Sequence, residues 1–222
     1  MCTLYANTKP RELIRNLFLV SDNRAATFEP KDAILPSDSA PVVRLADDGE
    51  RELVNLSWGF VRREPGKAPR RVVNTRDEQV RGNPFWRESF IKRRCLVPVT
   101  AYSEPKGVKP ATWYWFAIND ADDTRPLFAF PGIWRRYSGP LKTDGPEVEL
   151  DVYSIMTTTP NELTASINHE RMPVLLTSEA EWETWMQGTP AEAFALCKPC
   201  LADAMRIVGS GLERRDSLSR IA

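Results

Sequence analysis

The second residue of the chain is a cysteine that can carry chemistry open to no internal residue. Methionine is readily removed before a small residue, and loss of Met1 would leave Cys2 with an α-amine and a thiol on adjacent carbons. An α-amine has a pKa of about 7.7–8.0 against about 10.4 for lysine, so far more of it is neutral near pH 7. Neutral amine attacks aldehydes, and the neighbouring thiol can then close the imine into a thiazolidine ring. Cys2 is therefore the leading candidate nucleophile.

Three polar residues stand directly beside short apolar runs that predict strands, and these are Asn74, Glu104 and His169. Each puts a hydrogen-bonding or acid–base group next to a rigid element, which is how a site is held in position. His169 is the only histidine of the chain, so any imidazole chemistry must use it. Plainer roles also fit, because a lone histidine is often structural and Glu104 precedes a Pro-Lys-Gly turn sequence.

A lone C-x-x-C pair, Cys197 and Cys200, has the spacing of half a zinc site or of a redox pair. The sequence has no second pair, and Cys2 and Cys95 are the only other cysteines. A structural zinc site normally needs four ligands. We therefore interpret Cys197 and Cys200 as two small apolar residues near a helix end, and expect neither a metal nor a cofactor.

The charge of the chain is balanced in total and unbalanced locally. Its 222 residues include 30 Lys and Arg against 30 Asp and Glu, which taken alone argues against a nucleic-acid binder. Residues 62–94, however, hold nine Arg and two Lys against four acids, a net charge of +7. Residues 144–183 hold nine acids against Arg171 alone, a net charge of −8. The neutral total hides one basic and one acidic segment.

The basic segment has the composition of a groove for single-stranded nucleic acid. Phe85 and Trp86 lie among its arginines, and Trp58 comes just before it. Such grooves place guanidinium groups on phosphates and aromatic faces on bases. A solvated charged surface is the common alternative explanation for such a segment.

Periodicity and turn signals predict the elements that position these residues. A first helix is capped by Thr8, has Pro10 in its first turn and buries one face through Phe18; a later one opens with a capping box at Ser178 and Glu181. Further helices are expected at 84–92 and from 159–162, and long loops at 21–41 and 62–71. Strands are predicted at 42–45, 53–60, 94–99, 112–118, 127–134, 148–157, 172–176 and 205–208.

Many short strands, few helices and no βαβ rhythm predict an α+β fold. We expect a single domain over residues 1–222, built on a strongly bent, barrel-like antiparallel sheet with a few peripheral helices, its last dozen or so residues forming a flexible tail. The 42% apolar and 27% charged residues exclude disordered, collagen-like and coiled-coil classes. The chain has no long apolar run and no signal peptide pattern, so we expect a cytoplasmic protein without membrane contact. We also expect it to be monomeric and nucleoid-associated.

Five motifs occur in an order that resembles a known family. They are Met1-Cys2 with a following aromatic residue, Trp58-Gly59, Asn74-x-Arg76-x-Glu78, Arg94-Cys95-Leu96-Val97-Pro98 with Glu104, and Ile167-x-His169-x-Arg171-Met172-Pro173-Val174-Leu175-Leu176. Together they look like the SOS-response-associated peptidase (SRAP) family, over residues 1 to about 209. The resemblance implies an α+β fold with a barrel-like sheet, a basic groove for single-stranded DNA, covalent capture of abasic sites by the N-terminal cysteine, and self-cleavage of the initiator methionine.

The resemblance also implies roles for individual residues. Cys2 matches the nucleophile, Asn74 the asparagine that orients the N-terminal residue and the opened sugar, and Glu104 the acid that shuttles protons. His169 matches the histidine that helps to open the deoxyribose ring. The positions that resemble DNA contacts are Arg76, Trp58, Arg171, Pro36 and Thr157.

The leading hypothesis from the sequence is a DNA-damage protein that forms a thiazolidine crosslink to abasic sites in single-stranded DNA. A cysteine amidohydrolase with an N-terminal nucleophile would expose Cys2 in the same way. A single-stranded DNA-binding module without crosslinking activity would share the basic segment. Binding that is indifferent to Cys2 and to an abasic site would indicate the binding module, and glutamine hydrolysis without a DNA adduct would indicate the amidohydrolase.

Overall fold

A computed structural model describes residues 2–122 and 124–216, within which the chain forms fourteen strands and six helices. The strands are β1 (Tyr5–Asn7), β2 (Lys31–Ile34), β3 (Ser39–Leu45), β4 (Arg51–Trp58), β5 (Phe60–Arg62), β6 (Arg70–Val72), β7 (Asn74–Arg76), β8 (Arg94–Val99), β9 (Ala101–Lys106), β10 (Thr112–Ile118), β11 (Phe128–Pro140), β12 (Glu147–Thr158), β13 (Met172–Pro173) and β14 (Met205–Gly211). The helices are α1 (Arg11–Leu17), α2 (Asp77–Val80), α3 (Pro84–Lys92), α4 (Glu162–Ala165), α5 (Glu179–Gln187) and α6 (Pro190–Ala195).

Five of the strands close into a barrel. Neighbouring strands pair in the order β11, β8, β3, β4 and β12, and the pairing of β11 with β12 closes the ring. All pairs in the ring are antiparallel except the short parallel pair of β4 with β12. β7 and β13 add to β12 beyond this ring. The predicted α+β class with a barrel-like sheet is confirmed.

A second, antiparallel sheet has the order β14, β10, β9, β1 and β2, and it carries the N-terminus. Tyr5 of β1 pairs with Tyr102 of β9. The sheet is fixed to the barrel by a buried 2.6 Å hydrogen bond between the hydroxyls of Tyr5 and Tyr153, the latter on β12. The N-terminal strand is therefore joined to the barrel wall directly after the candidate nucleophile.

The barrel strands bury both of their faces, which produces two apolar clusters. On β12, Val152 and Met156 face one cluster, which includes Trp182 and Trp185 of α5 and so lies outside the barrel. Alternate residues such as Ile155 face the other cluster, together with side chains of the second sheet. The predicted alternation along 148–157 is thus confirmed, but the opposite face is buried as well. Two buried faces explain why the barrel strands are rich in aromatic and β-branched residues.

Strong local signals fixed several elements correctly. The predicted bounds of β8, β10 and α3 agree with the structure, and the capping box of Ser178 and Glu181 opens α5. The cap predicted at Thr8 is wrong, because Pro10 holds the N-cap position and the backbone N–H of Thr8 donates to Thr100 instead. The predicted strand at 172–176 is regular only over Met172–Pro173.

The two long loops are wrong in part. The passage 21–41 contains β2 and the start of β3, and the passage 62–71 contains the ends of the β5–β6 hairpin. β1 and β9 were not predicted, although β9 carries Glu104. In the described part of the expected tail, residues 212–215 are exposed, but Asp216 is buried and its N–H donates to the carbonyl of Asp32 on β2. The rest of that expected tail, residues 217–222, lies outside the described residues. None of the described helices is long and apolar enough to cross a membrane.

Candidate functional site around Cys2

Cys2 and Asn74 are brought together across the two sheets. Asn74 begins β7, which pairs in parallel with Ile155 of β12, and its side-chain Nδ2 donates a 2.8 Å hydrogen bond to the carbonyl of Cys2. Cys2 is fully buried, and its Sγ lies 3.5 Å from the carbonyl of Leu4. Asn74 therefore contacts the N-terminal segment through its backbone.

Glu104 reaches the same place through the second sheet. The N–H of Ser103 donates to the carbonyl of Leu4, so continuing the register of β1 with β9 sets the residues after Cys2 opposite Glu104. The Glu104 side chain is fully buried. Burial raises the pKa of its carboxyl to about 8, because the charged form loses its hydration. Glu104 is thus mostly protonated at neutral pH.

His169 arrives from the turn between α4 and β13. Asn168 just before it has a φ of +64°, a left-handed conformation that asparagine tolerates better than most residues. The ring of His169 places Nε2 at 2.8 Å from the carbonyl of Pro105 and Nδ1 at 3.4 Å from Oε2 of Glu104. Burial lowers the pKa of His169. The single histidine therefore contacts the strand that carries the buried carboxyl.

These contacts determine where the protons of the pair reside. A carbonyl only accepts, so Nε2 of His169 carries a proton and donates it to Pro105. In the neutral ring Nδ1 is then an acceptor, and it faces Glu104, whose carboxyl retains its proton up to about pH 8. The pair can exchange a proton between Oε2 and Nδ1 without creating a net charge in the buried site.

The thiol of Cys2 is poorly suited to act as a thiolate in this conformation. Burial raises its pKa, and the negative charge of Glu104, when present, raises it further. A cysteine that attacks as thiolate usually has a lowered pKa. The site therefore favours chemistry in which the thiol reacts with an already activated carbon and gives up its proton in that step.

Tyr102 belongs to the same site, although the sequence reasoning did not include it. It lies two residues before Glu104 on β9, so both side chains project from the same face of the strand. Its ring is fully buried and stacks on Phe116 with a centroid distance of 5.2 Å. Burial raises the pKa of its hydroxyl, and the charges of Glu104 and Cys2 contribute in the same direction. The Tyr-x-Glu alternation was the signal that could have identified it.

Arg76 and Arg171, the two arginines expected to contact DNA, differ in solvent exposure and in the number of carboxylates that they contact. Arg76 is 46% exposed, and its nearest carboxylate is Glu78 at 3.9 Å. Arg171 is only 13% exposed and its Nη2 lies 2.6 Å from Asp77 Oδ1, 3.0 Å from Glu78 Oε2 and 2.6 Å from the carbonyl of Thr157. Arg76 is available to a ligand, whereas Arg171 joins the His169 segment to the start of α2.

Two of the other expected DNA contacts are inside the protein, which corrects the sequence expectation for them. The indole of Trp58 is fully buried, donates to the carbonyl of Val73 at 3.1 Å and stacks on Tyr153. Thr157 is also fully buried, and its hydroxyl lies 3.3 Å from Nε of Arg171. Both side chains support the barrel wall and have no surface to offer to DNA. Pro36 is partly exposed in the turn between β2 and β3.

The aromatic residues of the basic segment do not form an open platform for bases. Trp86 is 2% exposed and packs against Phe60 and Phe85, so its ring has no open face for a base. The ring of Phe85 carries the guanidiniums of Arg62 and Arg135 at 4.4 and 4.3 Å. The segment is therefore basic at its surface and apolar beneath it.

The C-x-x-C residues are free thiols that are each partly buried. Burial raises the pKa of Cys197 to about 12 and also raises the pKa of Cys200. Within residues 2–122 and 124–216, no group of three or more His, Cys, Asp and Glu side chains is placed to hold a metal ion.

An α+β protein with a closed five-stranded barrel, whose N-terminal cysteine is held beside an amide, a carboxyl and an imidazole, is the class that the fold and the site define. The family model for the SOS response associated peptidase (SRAP) matches residues 1–209. The chain belongs to this family.

Similar proteins and structures agree with this membership. The chain is 30% identical over 183 residues to abasic site processing protein YoqW of Bacillus subtilis (strain 168), covering 80% of this chain and 77% of that protein. It is 28% identical over 187 residues to abasic site processing protein YoaM of the same organism, covering 80% and 76%. Crystal structures of proteins from Bacteroides thetaiotaomicron and Bordetella bronchiseptica each match with a TM-score of 0.71 at 22% identity. They cover 92% of this chain and 90% and 97% of theirs, and at that identity they show a shared fold.

Proposed function

We propose that this protein processes abasic sites in DNA by capturing the sugar aldehyde on Cys2 as a thiazolidine. The observation that carries the proposal is the convergence of Cys2, Asn74, Glu104 and His169 in one buried site. The family and the names of the two Bacillus subtilis relatives support the same substrate class. As part of the proposal, Met1 is first removed by the protein itself, so that the α-amine of Cys2 becomes free.

The first step asked of the site is opening of the abasic sugar, which is a hidden aldehyde. One group takes the proton of the anomeric hydroxyl while another protonates the ring oxygen, and the ring C–O bond breaks to give an open aldehyde. In this step Glu104, which enters protonated, gives its proton to the ring oxygen, and Nδ1 of His169, the acceptor beside it, takes the proton of the anomeric hydroxyl. Asn74 fixes the backbone of Cys2 while this happens.

The second step joins the protein to the aldehyde. The neutral α-amine of Cys2 adds to the carbonyl carbon, and the carbinolamine loses one water to give an imine. The thiol then adds across the C=N bond, so that sulfur bonds to carbon and the thiol proton passes to nitrogen as the ring closes. The high pKa of the thiol is compatible with this order, since the sulfur attacks a carbon already activated by the imine. The product is a covalent crosslink in which the aldehyde is shielded from strand cleavage.

The test is a denaturing gel with a single-stranded oligonucleotide that has been treated with uracil glycosylase. A shifted band is expected with wild type and no stable band with Cys2→Ala. Cys2→Ser is the closer match in size, because a hydroxyl replaces the thiol; like Cys2→Ala it keeps the α-amine, so we expect an adduct from either variant only after borohydride reduction of the imine. Lack of a Cys2-dependent band in a protein whose intact mass shows loss of Met1 would refute the proposal.

The acid–base roles are tested on the same gel by kinetics. Glu104→Gln is expected to slow formation or reversal of the crosslink, because an amide cannot exchange the carboxyl proton. His169→Ala is expected to slow the ring opening on which capture depends. If both variants capture and release at wild-type rates, these roles are refuted while the role of Cys2 can still stand.

Single-stranded DNA is the proposed partner, with Arg76 as a surface contact beside the site. Its exposed guanidinium lies on β7 two residues after Asn74, so a phosphate near the captured sugar can reach it. Pro36 remains a proposed contact in a neighbouring turn, and Arg171 can contact a ligand only with the donors that its carboxylate partners leave free. Arg76→Gln is expected to weaken binding of intact oligonucleotide with a shallower salt dependence.

A further inference from the structure

The part of the basic segment that follows Arg76 leads away from Cys2 to the other mouth of the barrel. There, the start of α3 and the middle of β11 border an open cavity of about 570 Å³. It is lined by Arg44, Asp47, Pro84, Phe85, Glu88, Ser89, Arg93, Trp134, Arg135, Arg136 and Asp151. Four arginines and two aromatic rings in one cavity are a composition that the site around Cys2 neither uses nor explains.

Strand register separates this cavity from the candidate catalytic site. Arg136 pairs with Asp151 on β12, whereas Asn74 pairs with Ile155, four residues further along the same strand. At about 3.3 Å per residue that is roughly 13 Å. The two sites therefore lie at different levels of one barrel wall.

Arg135 is the central cation of the cavity. Its guanidinium stacks on Phe60 and Phe85 at 4.5 and 4.3 Å, and Nη2 donates to the carbonyl of Val61 at 2.9 Å. Arg62 stacks on the same Phe85 ring at 4.4 Å. Burial and the nearby charges of Arg93 and Arg62 lower the pKa of Arg135. The positively charged guanidinium groups of Arg62 and Arg135 therefore both stack on the ring of Phe85.

The carboxylates of the cavity are committed mainly to other arginines. Asp151 is shared by Arg44 and Arg136, each at 3.0 Å, and Glu88 lies 3.2 Å from Arg93. Among the described residues, neither Arg62 nor Arg135 has a carboxylate within ion-pair distance, and the remaining acid, Asp47, is exposed. With the residues that the structure describes, Arg135 makes one hydrogen bond, so most of its N–H donors are left for a ligand.

We propose that Arg135, with Arg62 on the shared ring of Phe85, forms an anion site that binds a backbone phosphate of a nucleic-acid strand. A guanidinium presents a fork of donors that fits phosphate oxygens, and the stacking on phenylalanine holds that fork in place. A phosphate would also relieve the repulsion between the gathered cations. The assignment of the strand to DNA rests on the proposed function, whereas the phosphate chemistry does not.

The surroundings favour a phosphate within a polymer over a free one. Arg63 continues from β5, and its Nη1 lies 3.2 Å from the position a Cβ would take on Gly139, four residues beyond Arg135 on β11. This exposed arginine therefore extends the basic surface along the same strand. A nucleic-acid strand can bridge such spaced cations, while an isolated phosphate ion can use only one of them.

The test measures the affinity of an intact oligonucleotide, without an abasic site, for three proteins: wild type, Arg135→Gln and Arg62→Gln. Each affinity is measured at several salt concentrations. We expect each variant to bind several-fold more weakly, with a salt slope reduced by about one. Arg87→Gln is the matched control, because Arg87 has the same charge, is exposed on α3 and borders a different cavity. It should lose less affinity than either variant.

Thermal unfolding with inorganic phosphate provides the second arm. Stabilisation of wild type by millimolar phosphate, together with unchanged oligonucleotide affinity in both variants, would assign the site to a free phosphate and overturn the proposal. Equal losses in Arg87→Gln and the two cavity variants would overturn it as well. The crosslinking gel reports separately on Cys2: capture with unchanged oligonucleotide affinity refutes only the anion site, and reduced affinity without capture refutes only the proposed function.

Discussion

Glu104 and His169 show how one buried contact can keep two titratable groups neutral at physiological pH. The carboxyl has a raised pKa and the imidazole a lowered one, both through burial. Their environments shift both groups toward the neutral form, which provides a resident proton donor and acceptor without a buried charge. This arrangement also has a measurable effect on stability.

Glu104→Gln is expected to change how stability depends on pH. The unfolded chain loses the Glu104 proton near the ordinary carboxyl pKa of 4.5, whereas the folded protein keeps it to about 8, so the folded state binds more protons between these values. Stability therefore falls as pH rises through this window, by up to about 1.4 kcal/mol per pH unit from this group. Urea unfolding at pH 5 and pH 8 should show a smaller difference for Glu104→Gln than for wild type. An unchanged difference would contradict the raised pKa.

Trp58→Phe separates a structural role from a DNA contact. The smaller ring leaves a void in the barrel and removes the hydrogen bond to Val73, so we expect a loss of about 1–3 kcal/mol in the free energy of unfolding. Oligonucleotide affinity of the folded variant should equal that of wild type, because the indole has no exposed surface. Weaker DNA binding at unchanged stability would restore Trp58 as a contact.

At the residue scale, the sequence indicated which residues form the candidate site but not how deeply each of them is buried. Cys2, Asn74, Glu104 and His169 could be selected from residue type and position, and the structure places them together. The protonation of Glu104 could not be inferred, because it depends on burial in a strand that was not predicted. Trp58 and Thr157 failed as contacts for the related reason that burial is a tertiary property.

At the element scale, the ion pair of Arg171 with Asp77 ties together two segments of the site. Asp77 opens α2 directly after β7, which carries Asn74, and Arg171 lies two residues after His169. Both side chains are largely buried, at 13% and 18% exposure. The pair therefore sets the distance between the His169 turn and the strand of Asn74.

A double-mutant cycle of Asp77→Asn and Arg171→Gln measures this link. We expect each variant to lower stability and the rate of capture, with a coupling energy of about 1 kcal/mol, because either change removes the same contact. Arg76→Gln is the control, since its exposed side chain should leave stability within about 0.5 kcal/mol of wild type. Additive effects in the cycle would show that Arg171 acts independently of Asp77.

Elements with complete local signals were predictable, and those that depend on partners were not. β8 and β10 are dense in apolar and aromatic residues, and α3 has Asn83 as a cap with proline in its first turn. β9 reads Ala-Tyr-Ser-Glu-Pro-Lys, which is not a strand pattern, and it is extended because β1 and β10 pair with its two edges. β2 likewise lies in a polar passage and depends on its pairing with β1.

At the scale of the whole molecule, closure of the barrel demands close packing at Gly132. This residue of β11 pairs with Cys95 on β8 and with Ile155 on β12. A Cβ at this position would lie 2.9 Å from Sγ of Cys95 and 3.2 Å from Cγ2 of Val97. The carbonyl of Gly132 also accepts from the indole of Trp185, so α5 is attached at the same point.

Gly132→Ala is therefore expected to destabilise the protein by about 1–3 kcal/mol through overpacking. Cys95→Ala removes the sulfur that the new methyl would meet. Adding Gly132→Ala to Cys95→Ala should therefore cost less stability than Gly132→Ala costs in the wild-type chain. Thermal or urea unfolding measures both effects. If Gly132→Ala is neutral in an otherwise wild-type chain, the barrel wall at this point is looser than described.

The basic residues of the chain form two separate surfaces, which the sequence could not distinguish. Arg76 lies beside the Cys2 site, while Arg93 and Arg135 lie at the other mouth of the barrel. Arg135 is outside the basic segment of residues 62–94, and only folding brings it to Arg62. Local charge was therefore a useful guide to the presence of basic surfaces and a poor guide to their number.

The hydrogen bond between Tyr5 and Tyr153 limits how far the N-terminus can travel. Cys2 lies three positions before Tyr5 along the chain, so it can lie at most about 10 Å from the Cα of that residue. Leu4 is fully buried within that length and shortens the range further. If Cys2 captures an aldehyde as proposed, it cannot swing far out to reach one, and the abasic nucleotide would have to leave its strand and enter the site.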